Sequence, residues 1–258
     1  MFDFDRLLNW KLLRGSHEFP GPDGGTCVAE AAIVAAGHPY RRLPSTSADH
    51  CPSSFSRPLT VFAMDLNDAI TDDALRQELL LPFVARFPGS ADTPEVEHAR
   101  ARLILKRTIS DILAPALTEF GFHKTALLCR LAIDDLKAFD DWLSGRGAAG
   151  CSSLPEELRD ACNCVIFAVQ CLRADPAMSA MCAGLAATTA ANDVGAPCDP
   201  RDPARMAVYR KIAAILDAAF AIGNQAPAIA PDEIATRMQA AKHAAATPAS
   251  GVAEPARV

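Results

Sequence analysis

The chain has 258 residues, half of them hydrophobic, with a formal net charge of -6, two tyrosines and two tryptophans. That content is enough to bury a substantial core. Lys and Arg are scattered rather than blocked, which argues against nucleic acid as a partner, and no run approaches the roughly 18 apolar residues of a membrane span. The start, Met1-Phe2-Asp3-Phe4-Asp5, carries no basic leader before an apolar run, so the expected location is cytoplasmic. Nine cysteines form no framework. Cys129, Cys162, Cys164, Cys171 and Cys182 fall within apolar helical patterns and read as small core residues of a reducing compartment.

Runs of alternating β-branched residues are almost missing while Ala is abundant, so the chain reads as all-α, a compact multi-helix domain with a long N-terminal motif loop. Phe4, Leu7, Leu8 and Leu12 stand at helical spacing, which predicts a first helix closed by Gly15. A second helix is expected from Thr26 or Cys27 to Gly37. Between His38 and Arg57 runs a Pro- and Ser-rich connection, of a length that usually serves function or stays disordered. Pro58 suits the first turn of a helix to Ile70, and Thr71-Asp72-Asp73 the cap of the next, which Pro82 must kink or end. Asp92-Thr93-Pro94-Glu95 announces a long helix to Phe120, bent at Pro115 and closed by Gly121. Shorter helices follow, from Lys124 to Ile133 and from Asp134 to Leu143.

Ser153-Leu154-Pro155-Glu156, Asp175-Pro176 and Asp202-Pro203 are three cap-and-proline starts. They predict helices from Glu156 to Arg173, Pro176 to Ala191 and Pro203 to Ile222, with a last one from Pro231 to Ala245. Residues 1–145 thus form a motif-bearing helical portion, residues 146–245 an Ala-rich helical portion packed on it within one domain, and residues 246–258 a disordered tail. Phe62, Phe83, Phe87, Phe120, Phe139, Trp142, Phe167 and Phe220 fall on apolar helix faces and are assigned to the core.

The densest motif is Gly15-Ser16-His17-Glu18-Phe19-Pro20-Gly21-Pro22-Asp23-Gly24-Gly25-Thr26-Cys27, a turn that opens directly into a helix. A thiol in a helix's first turn meets unpaired amide donors and the positive end of the dipole, which favour thiolate. One reading makes Cys27 a nucleophile with His17 as base, Asp23 or Glu30 orienting the imidazole, and the Gly24-Gly25 turn with early helix amides steadying an oxyanion. Papain-like enzymes also place a cysteine at a helix start, but here the His precedes the Cys by ten residues in one loop. Another reading makes the loop a binding surface through Ser16, Gly24, Gly25, Thr26 and His50, and a third makes it a turn in which Thr26 or Cys27 caps the helix.

His17, Glu18, Cys27, His38, His50 and Cys51 have zinc-ligand chemistry but no rigid spacing, so no metal and no cofactor is predicted. In Asp65-Leu66-Asn67-Asp68-Ala69-Ile70-Thr71 the face shared by Asn67 and Thr71 invites comparison with the magnesium helix of all-α terpene cyclases. Leu75 stands where an acid is required, and Asp65 and Asp68 read as a solvated face.

The stretches Phe19-Pro20-Gly21-Pro22-Asp23-Gly24-Gly25-Thr26-Cys27 and Glu30 to Gly37, with Cys51-Pro52, Phe55-Ser56-Arg57-Pro58 and Leu66-Asn67-Asp68-Ala69, resemble a family of uncharacterised bacterial and phage-associated proteins. The resemblance covers the first third of the chain. It implies an all-helical fold and carries neither an activity nor a catalytic residue. The expected function is therefore a binding or interaction module built on the 15–27 loop, helped by the 38–57 connection, with a protein or small-molecule partner. The alternative is a cysteine-dependent hydrolase or transferase. Ala-rich faces also suit self-association. Whether the two loops touch decides between one composite site and two separate turns.

Overall fold

The structure, a computed structural model, describes residues 11–16, 25–43, 48–131, 154–194, 199, 201–223 and 226–246. Within them the chain is helical apart from two short parallel strands, β1 (Lys11–Leu12) and β2 (Gly25–Thr26), paired Lys11 to Gly25 and Leu12 to Thr26. Leu12 therefore does not extend a helix. Its N–H donates to the Gln77 side chain, its carbonyl accepts from Arg76, and the next N–H, of Leu13, donates to the Thr26 carbonyl at 2.8 Å. These long-range partners take the backbone groups that a helix would have used. Phe4, Leu7 and Leu8 lie outside the described residues.

The helix α1 (Val28–Ala35) is capped by Cys27 and followed by Gly37 at φ 86°, a left-handed conformation that suits glycine. The connection after it is irregular where described, save a 3₁₀ turn at Ala48–His50. Next come α2 (Arg57–Ala69), with Pro58 in its first turn, and α3 (Asp73–Val84), capped by Asp72 and ending two residues beyond Pro82. The long helix announced by Thr93-Pro94 is real but interrupted. α4 (Pro94–Arg107) passes into a π-helical stretch, Thr108–Leu113, before α5 (Ala114–Glu119). Pro115, in the first turn of α5, has no N–H for an i−4 bond, and the wider π turn just before it absorbs the mismatch.

α6 (His123–Leu131) follows. The expected helix at 134–143 and the Gly- and Ala-rich stretch at 146–151, read from the sequence as a boundary between the two portions, lie outside the described residues. α7 (Glu156–Cys171) starts with Pro155 at the cap position rather than inside the first turn; α8 (Pro176–Asp193) and α9 (Pro203–Phe220) have Asp175 and Asp202 as caps; α10 (Pro231–Ala246) closes the described chain.

α8 is the axis of the molecule. It packs against α7, α2, α4, the π-helical stretch and α9, and its buried residues are almost all Ala, Ser, Gly, Cys or Thr. A helix enclosed on several sides needs small side chains all round, and that explains the Ala-rich sequence. Phe62, Phe83, Phe87 and Phe220 are buried as expected, whereas Phe120 and Phe167 stand 40% and 55% exposed on ends and outer faces. Phe139 and Trp142 lie outside the described residues. Cys129, Cys162 and Cys182 are buried, and Cys164 and Cys171 are half-buried.

Candidate functional site

The motif loop and the connection after α1 meet at one side chain, Glu30. It lies on the first turn of α1 and is completely buried. One carboxyl oxygen accepts from the Cys27 N–H at 3.0 Å. The other accepts from the Leu43 N–H at 3.0 Å and from the Ser16 hydroxyl. Cys27 reciprocates by taking the Glu30 N–H on its sulfur at 3.4 Å, which completes a capping box with cysteine in the usual Ser or Thr position. The two loops thus share a junction, and Glu30 orients backbone rather than an imidazole among the described residues.

Around this junction the neighbouring helices sew down the N-terminal segment. Asn67 accepts from Val28 N–H at 3.3 Å and donates to the Leu13 carbonyl at 2.9 Å; Asp68 accepts from Gly15 N–H at 2.8 Å. Arg76, buried, donates to the carbonyls of Leu12, Asn67 and Ile70 and pairs with Asp73. Gly25 is required by close approach, since a Cβ there would stand 2.5 Å from Leu13 Cγ and 2.7 Å from the Lys11 carbonyl oxygen. Thr26 is buried in β2.

Cys27 is 4% exposed, and burial, with the Glu30 carboxyl adding to it, pushes its thiol well above the ordinary range. The helix amides act in the opposite direction and lose. Desolvation thus opposes the thiolate that the dipole favours. His17, Asp23 and Gly24 lie outside the described residues. His50 is exposed at the end of the 3₁₀ turn, where its carbonyl accepts from Arg41. Among the described residues no three His, Cys, Asp or Glu side chains are grouped to hold a metal ion. No helix among them is long and apolar enough to cross a membrane.

Sequence reasoning missed a second feature, a hollow of about 440 Å³ where the starts of α2, α4 and α8 converge. Phe55, Pro58 and Ala177 give it apolar walls, and Asp92, Glu97 and Asp175 bring carboxyl groups to it. Arg57, also at the hollow, pairs with the exposed Asp49. The walls are braced: Ser56 donates its hydroxyl to Glu97 and its N–H to Ser90 Oγ at 2.9 Å, and the buried Arg100 reaches Glu97, the Ser90 carbonyl and the Ile222 carbonyl. Beneath Phe55 the rings of Phe87, Phe220 and Phe83 follow in series, stacked at both ends and edge-to-face between Phe87 and Phe220, with centroids 5.1 to 6.0 Å apart. The one sequence signal was the first-turn proline of each helix, Pro58, Pro94 and Pro176, which marks the three starts individually and not their convergence.

No protein-family model, curated protein or solved structure matches this chain.

Proposed function

We propose that this chain is a helical binding module whose ligand seats in the hollow between the starts of α2, α4 and α8. The observation that carries this reading is the hollow itself: an open, braced concavity with an apolar floor and several carboxyl groups, of a size that suits a small molecule. Its 53–58 wall is formed by the end of the connection that follows α1 and the first residues of α2, so the motif-bearing third of the chain contributes directly. The Ser16–Glu30–Leu43 junction serves as the frame that holds that connection at its origin. With Arg57 paired to Asp49 and Glu97 paired to Arg100, the carboxyl groups of Asp92 and Asp175 at the hollow favour a ligand with a cationic group on a compact apolar body. A buried thiol tied into a helix cap does not support the nucleophile that the hydrolase or transferase reading needs.

The test is a titration of primary arylalkylamines and their matching alcohols, followed by backbone amide shifts in the wild type and in Ala177→Trp, which fills the hollow. Amines that shift Ala91, Ala174 and Ala177 in the wild type and lose that effect in the variant bear the reading out. Equal response in the variant, or none in the wild type, overturns it.

A further inference from the structure

Asp65 is a side chain whose environment contradicts its chemistry. It sits on α2 at the crossing with α8, is 4% exposed, and both carboxyl oxygens are buried without a hydrogen-bond partner among the described residues. The backbone of α8 lies directly against it, since a Cβ on Gly184 would stand 2.5 Å from Asp65 Oδ2 and 3.2 Å from Asp65 Cβ. The solvated face expected for Asp65 is thus turned inward. The groups acting on this neighbourhood are Asp68 from α2 itself, Cys164 from α7, which also feels Asp160, and Cys182 from α8, which also feels Cys164, Cys171 and Asp175. None of them carries a positive charge. A buried carboxylate with neither cation nor donor is strongly disfavoured, so the packed state holds the acid protonated.

We propose that Asp65 makes the seating of the α7–α8 hairpin on α2 proton-dependent: the hairpin holds tightly while the carboxyl keeps its proton and loosens as the proton is lost. When the hairpin lifts, Asp65 meets water and ionises near the ordinary value of about 3.9. When it is seated, burial first and Asp68 second push that value well up. Seating is therefore strongest below about pH 4 and weakens as pH rises through the interval between the two values. Above the seated value it becomes flat. Within the interval the lifted fraction grows up to about tenfold per pH unit. The inference is independent of what the hollow binds.

Hydrogen exchange of the full-length protein between pH 4.5 and 8, corrected for intrinsic exchange, tests it in the wild type and Asp65→Asn. Protection of α7 and α8 amides is expected to fall with pH in the wild type, by up to tenfold per unit, and to stay flat in Asp65→Asn, with α1 unaffected in both. Parallel profiles in the two proteins, or a loss shared equally by α1, overturn the proposal. Should Asp65→Asn not fold, the carboxyl carbon resonance of Asp65 in the wild type decides. Titration above the other carboxyl groups supports the device, and titration at or below pH 4 overturns it.

Discussion

Removing the Glu30 carboxyl gives the sharpest test of how the motif loop is held. In Glu30→Ala, two buried backbone donors, the Cys27 and Leu43 N–H groups, lose their acceptor, while the half-buried Ser16 hydroxyl can turn to water. Each bare buried donor costs about 1–3 kcal/mol, so the variant is expected to lose about 2–6 kcal/mol, against a total stability of about 5–15 kcal/mol for a typical domain. Glu30→Gln separates the two oxygens. Its remaining carbonyl can serve Ser16 and Leu43, but its NH₂ then faces the Cys27 N–H, so the loss falls to about 1–2 kcal/mol, the range of a single cap. The assay is urea unfolding followed by far-ultraviolet circular dichroism, comparing midpoints at constant slope. A change below about 0.5 kcal/mol for Glu30→Ala would refute the view that this side chain ties the two loops together.

Gly25→Ala should destabilise by about 1–3 kcal/mol in the same assay, because the added methyl meets Leu13 and the Lys11 carbonyl and pries β2 from β1. Arg76→Lys should cost about 2–4 kcal/mol, since one ammonium cannot serve the three carbonyls of Leu12, Asn67 and Ile70 together; a neutral result would show that the N-terminal segment is held some other way. Iodoacetamide, read peptide by peptide, should modify the half-buried Cys171 well before Cys27 and Cys182 at pH 7. Burial pushes Cys51 up to about 11, and the thiolate is the reacting form, so its labelling rate should climb about tenfold per pH unit until that value. Selective early labelling of Cys27 would instead revive the nucleophile reading.

What the sequence made legible is what its local chemistry decides. Asp72, Asp175 and Asp202 each cap the helix they were expected to start, and Gly37 and Gly121 terminate theirs at positive φ, because caps and terminators act within four residues. Leu12 and Asp65 were misread for the opposite reason. Leu12 has the spacing of a helix, yet its backbone partners, Gln77 and Arg76, are 65 and 64 residues away. Asp65 lies among acids in a run that reads as solvated, and only the arrival of Gly184 on α8 shows which way it points.

The candidate site divides along the same line. Cys27 was legible as a cap, and Glu30 was read as orienting an imidazole; its pairing with Cys27 lies within one turn, but its work of joining Ser16 to Leu43 depends on two loops meeting in space. At the thiol, dipole and burial oppose each other: the dipole can be read from a cysteine's place in a helix, while burial belongs to the whole fold and raises the thiol's value. A short-range signal therefore locates the junction, and long-range packing supplies the Ser16 and Leu43 partners that make it a clamp between the two loops.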